Sequence, residues 1–223
     1  MSKSHSILSS AAVQGYFVLL VGCGVGLLFS IPSAASVADL AELQWKSSPV
    51  AFHLTFVTLL SLLGAFRGVA AAGWDAPERR ILTHLAVHIL AGQLIVLPYL
   101  VFSRVLLPAS GLSLPLLATY ATITAFMFSV IELRLGRWGR ARQVHTLLLQ
   151  YAAVGLLFLL PWAISVIPGV PPTVTLFSPI GAALKITQAA SASEPAVALA
   201  FVTLMTLVQL VCLRRAAGRN HAV

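Results

Sequence analysis

Six apolar runs separated by short connections require this chain to cross a membrane repeatedly, and its cations set the direction of crossing. The runs cover about residues 13–31, 50–66, 81–102, 112–131, 146–166 and 196–213, each near the roughly 20 residues that span hydrocarbon. Placing the N-terminus inside puts eleven of the fourteen Lys and Arg residues on the inner side. They are Lys3, Arg67, Arg79, Arg80, Arg134, Arg137, Arg140, Arg142, Arg214, Arg215 and Arg219, against Lys46, Arg104 and Lys185 outside. That bias in short loops fixes orientation by the positive-inside rule, so both termini are expected in the cytoplasm. The expected fold is all-α and polytopic, in a bacterial cytoplasmic membrane.

At 59% hydrophobic and 9% charged, the chain leaves no polar stretch long enough for a soluble domain, so residues 1–223 read as a single transmembrane domain. The net charge of +8 lies beside span ends, where it faces anionic lipid or an acidic protein surface and not nucleic acid. Cys23 and Cys212 fall at different depths, which argues against a disulfide between them. The first run also has the outline of a signal peptide, with Lys3 before it and Ser33, Ala34, Ala35 and Ser36 after it. Its apolar core exceeds the usual h-region of about 7–15 residues, so it is read as a retained span.

The inner connection after the second run contains Trp74-Asp75-Ala76-Pro77-Glu78-Arg79-Arg80, a helix-start signal with Asp75 as cap and Pro77 in the first turn. Pro98 is expected to break the third span near its outer end, and Pro115 sits early in the fourth. The connection from Glu132 to Arg142 carries four arginines and reads as an inner loop, a topology determinant that can also dock an acidic partner. The segment from Ile167 to Pro195 is rich in Pro and Gly yet largely apolar. Within it Ser178-Pro179 starts a short helix with Ile180, Ala183, Leu184 and Thr187 on one face. Such a helix is too short to span, so it is expected to lie at the outer interface or to re-enter the membrane.

The six carboxylates map to loops or span ends, which weakens a proton- or cation-coupled transporter. His84 and His88, one helical turn apart, and His145 at a similar depth could ligate haem or a metal. The competing reading has them bonded to neighbouring helices. No phosphate-loop motif occurs in the sequence, so ATP would have to be bound by another chain. Glycines 22, 24 and 26 permit close helix approach, either within the chain or between two copies.

The residues Trp74–Thr83, together with Pro161-Trp162, Ile167-Pro168 and Phe177-Ser178-Pro179 ahead of a short helix, resemble the permease subunit of ATP-binding-cassette exporters with the type-2 (ABC-2) membrane fold. The length is close to short, haem-exporter-like members of that family. The resemblance implies a non-enzymatic permease with no cofactor of its own, a cytosolic ATPase subunit carrying ATP, and a second permease copy. It implies that Asp75, Glu78, Arg79 and Arg80 form the ATPase-coupling contact, with Arg137 and Arg140 secondary. It also implies that Phe177, Ser178, Pro179 and Leu184 form an outer gate, and that the cargo is amphipathic or lipid-like. Two other classes remain open from the residues alone: a membrane anchor or assembly subunit of a larger complex, and a b-type haem protein using His84, His88 and His145. Reporter fusions at both ends should localise to the cytoplasm, and a membrane-impermeant amine reagent should modify Lys185 in intact cells. Either terminus facing outward would overturn this topology.

Overall fold

A computed structural model describes residues 48–106, 113–141, 171–188 and 193–220, with isolated positions at 18, 21, 22, 155–157, 160, 161, 164 and 167–169. Most of the expected first and fifth spans, the connection 32–47, Gly24, Gly26, Arg142 and His145 lie outside the described residues. Among those described, all regular structure is helical: α1 (Ser48–Ala71), α2 (Glu78–Leu106), α3 (Ser113–Ala141), a 3-10 segment (Pro172–Phe177), α4 (Pro179–Gln188) and α5 (Ser193–Asn220). Among the described residues, four stretches are long and apolar enough to cross a membrane: Phe52–Ala71, Glu78–Val101, Leu114–Gly139 and Ser193–Arg215. The chain is a multi-pass helical membrane protein.

Two expectations about breaks are corrected. The stretch 132–141, read as an inner loop, continues α3 without interruption to Ala141. Leu and Arg are good helix formers, and arginines at a helix end can extend their charge to water while the backbone stays helical. Likewise, α2 runs unbroken through Pro98, because losing one backbone donor is tolerated where other helical bonds remain.

The architecture centres on α1 and α3, which form the most extensive pairing; α2 packs on both, α5 on α3, and α4 on α1 and α3. Gly64 of α1 faces the carbonyl of Ala125, and Gly68 faces that of Ser129, so the two helices run in the same direction. At either glycine a β-carbon would overlap the facing carbonyl oxygen. This Gly-x-x-x-Gly face against Ala125 and Ser129 is the small-residue geometry by which membrane helices reach van der Waals contact without a hydrophobic driving force. Gly22 meets a side chain and not a backbone: a β-carbon there would stand 2.6 Å from Leu59 Cδ1.

Aromatic and aliphatic side chains fill the rest. Phe52, Phe56, Leu60 and Phe128 are fully buried between α1 and α3, where Ala182 and Ile186 of α4 join them. A second cluster, Ile81, Leu85, Val130, Leu133 and Leu213, ties α2, α3 and α5 together at the opposite end. Three buried hydroxyls are satisfied along their own backbone: Ser61 donates to Val57 O at 2.7 Å, Ser129 to Ala125 O at 2.9 Å and Thr206 to Val202 O at 2.7 Å. Gly64→Ala should destabilise the chain by about 1–3 kcal/mol through overpacking, read as a lowered unfolding midpoint in detergent. Gly155→Ala, where a β-carbon meets nothing within 4 Å, should leave the midpoint unchanged or raise it slightly.

Candidate functional site

The described cations separate cleanly between the two ends of the helix pair. Because α2 returns antiparallel to α1 through a tight turn, the end of α1, the start of α2 and the ends of α3 and α5 share one pole. That pole carries Arg67, Arg79, Arg80, Arg134, Arg137, Arg214 and Arg215, whereas α4 with Lys185 packs at the other.

The turn forms because Ala72 N donates to Gly68 O at 3.0 Å and Trp74 N to Ala71 O at 3.0 Å, closing α1. Ile81 N then donates to Pro77 O at 3.2 Å, which opens α2. Pro77 therefore occupies the cap position. The expectation that Asp75 caps the helix is corrected: it stands two residues before, exposed, while Glu78 brings negative charge to the first turn. Asp75, Arg79 and Arg80 are exposed and Glu78 is half-buried, so the expected coupling residues form one surface. Arg137 is half-buried on the same pole, and Arg140 lies in the last turn of α3.

Two grooves flank Arg79. One, about 480 Å³, is lined by Pro77, Arg79, Arg80, Thr83, His84, Val87 and His88. The other, about 450 Å³, is lined by Glu78, Arg79, Leu82, Thr83 and Arg214, which brings the start of α2 to the end of α5. His84 is held between rings: the edge of Trp74 meets it at a centroid distance of 4.9 Å, and His88 stacks on it at 4.2 Å with planes 22° apart. The His88 Nδ1–H donates to the carbonyl of His84 at 2.8 Å. Nearly parallel stacked imidazoles direct their lone pairs into offset planes, so this pair does not converge on one ion. Among the described residues no group of three potential ligands could hold a metal.

Glu132 directly follows the apolar run 112–131 and remains a span-end carboxylate, but it stands in a helix and not in the loop expected there. It sits within continuous α3 at 1% exposure, its β-carbon against Gly68. Two residues further, Arg134 Nη1 donates to Gln209 Oε1 of α5 at 2.7 Å. The sequence placed Glu132 at the edge of a loop because charge was taken as the end of the helix.

At the opposite pole the expected gate residues form one compact element. Phe177 is exposed and packs on Phe201 of α5 at 4.5 Å. Ser178 is buried, its N–H donating to Thr175 O at 3.0 Å and its carbonyl accepting from Ala182 N at 2.9 Å. Pro179 follows at the first position of α4, as the Ser-Pro signal predicts. A β-carbon at Gly181 would overlap Thr175 O, so the 3-10 segment and α4 are pressed together. The buried face of α4 is Ala182, Ala183 and Ile186, a correction to the expected face, since Ile180, Leu184 and Thr187 are only half-buried. Thr187 Oγ1 donates to Ala183 O at 2.8 Å, which leaves its oxygen to accept the Nδ1–H of His53 at 3.1 Å. Lys185 pairs with Glu194 at 3.5 Å, joining α4 to the start of α5.

The sequence reading missed the Gly64–Gly68 spacing, although the four-residue interval is readable by eye, and missed the His53–Thr187 link, which no spacing reveals. The chain matches no protein-family model, no curated protein and no solved structure. A double-mutant cycle of His53→Ala and Thr187→Val, followed by thermal unfolding, should return a coupling of about 0.5–1.5 kcal/mol for the buried hydrogen bond.

Proposed function

We propose that this chain is the permease subunit of an ATP-binding-cassette exporter of the ABC-2 type. In this reading a separate cytosolic ATPase docks on the arginine-rich pole, and its closure moves two permease copies against each other. The cargo is amphipathic or lipid-like, and the chain itself performs no chemistry. The cytoplasmic membrane of a bacterium is its expected location.

One observation carries this reading: both ends of the same close-packed helix pair hold a surface element. At one pole the turn from Trp74 to Arg80 continues directly from α1, and its exposed mixed charges suit a protein partner. At the other, α4 packs on both α1 and α3 and is hydrogen-bonded to α1 through His53 and Thr187. A push on the turn therefore reaches α4 through a pair whose backbones are in contact, and rigid elements of that kind transmit displacement between distant surfaces. The ten residues of α4 are too few to span, which suits a movable element at the outer face.

The test is recovery of the ATPase. The tagged full chain should copurify an ATPase subunit bearing a phosphate loop, and the pair should hydrolyse ATP faster than the ATPase alone. Combining Glu78→Lys with Arg79→Glu should abolish copurification, while Glu194→Lys at the far pole should preserve it. Failure of the wild-type chain to recover any such ATPase would favour the membrane-anchor reading.

A further inference from the structure

The groove at the start of α2 continues into an apolar stripe. Its polar end presents Arg79, Arg80 and Thr83 together with His84, which is fixed between Trp74 and His88. No carboxylate is among its described lining residues; Glu78 lines the neighbouring groove beside Arg214. Arg67, near the end of α1, lies on the same pole, a further cation from a second helix. The Thr83 hydroxyl is spent on the Arg79 carbonyl at 2.9 Å, which leaves guanidinium forks beside an imidazole as the donor set for a phosphate oxygen cluster, which arginine binds bidentately.

From this end, Val87, Leu90, Leu94, Leu97 and Val101 follow along α2 at alternating three- and four-residue spacing, one continuous face. All five are exposed, Leu94 by 66%. From Val87 to Leu97 the face extends about 15 Å at the helical rise of 1.5 Å per residue. That is half the roughly 30 Å hydrocarbon thickness, the depth of one leaflet. A free phosphate would use the cationic end and leave the stripe without a role; an amphiphile uses both.

We infer that this face of α2 is a binding site for an anionic phospholipid, with the headgroup phosphate held by Arg79, Arg80 and His84 and an acyl chain lying along Val87, Leu90, Leu94 and Leu97. The inference requires the arginine-rich pole to lie at a membrane surface and does not depend on the exporter reading, because lipid binding is measured on the purified chain without any ATPase.

Delipidated full-length chain is incubated with detergent micelles containing phosphatidylglycerol or phosphatidylcholine, and bound lipid is counted by native mass spectrometry. The wild-type chain should retain phosphatidylglycerol preferentially. Arg79→Gln with Arg80→Gln should reduce that retention about 30-fold, as expected for two interfacial cations, whereas Arg215→Gln should not change it. Arg79→Lys with Arg80→Lys keeps the charges and should recover part of the retention, which separates headgroup binding from a folding defect. Leu90→Ser with Leu94→Ser should weaken lipid retention while leaving the shift in unfolding midpoint produced by inorganic phosphate unaltered. Unchanged phosphatidylglycerol retention in the Gln variant would overturn the site. Stabilisation by inorganic phosphate equal to that by phosphatidylglycerol, with no effect of the Leu variants, would overturn the lipid assignment in favour of a soluble anion.

Discussion

Everything in the described structure is arranged around the contact of α1 with α3 at Gly64 and Gly68. In hydrocarbon, apolar side chains gain nothing by leaving lipid for protein, so helix association must come from close packing and polar contacts. Two glycines opposite Ala125 and Ser129 bring the backbones together, and the large side chains Phe52, Phe56 and Phe128 are buried in the core built around that contact. With that pair fixed, α2 and α5 need only modest contact to be held, and they keep broad apolar faces outward. The same pair also supplies the floor on which α4 rests.

Polar groups inside the bundle follow from the scarcity of water there. Ser61, Ser129 and Thr206 satisfy themselves within their own helices, and cross-helix bonds are made where a longer side chain reaches a neighbour, as from His53 to Thr187 and from Arg134 to Gln209. Glu132 is the exception by type. Its carboxylate is buried on the arginine-rich side of the α1–α3 contact, two residues before Arg134, and burying an acid is costly.

Hydropathy made the spans legible, since length and apolar character are properties of contiguous residues. The four helices described as capable of crossing fall where the apolar runs at 50–66, 81–102, 112–131 and 196–213 placed them. The Ser178-Pro179 start of α4 was equally readable, because capping is local chemistry. What failed was the equation of charge with a helix end: Arg134 and Arg137 sit on an unbroken helix, and Glu132 is buried in it. The face of α4 was misassigned for a related reason. Periodicity identifies which residues share a side, but the floor provided by α1 and α3 selects the small residues Ala182 and Ala183 over the larger Leu184. Partnerships between distant residues, such as His53 with Thr187, left no trace in the spacing.

The inward-turned hydroxyl of Thr206 has a mechanical corollary. Donor and acceptor both belong to α5, so they travel together when that helix rotates about its axis, and the rotation breaks nothing at that position. Torque on α5 is resisted by contacts between separate elements: Arg134 with Gln209, Lys185 with Glu194 and Phe177 with Phe201. Those contacts sit toward the two ends of α5, so between them the self-sufficient hydroxyl adds no tether, while the glycine-locked pair beside it serves as the frame.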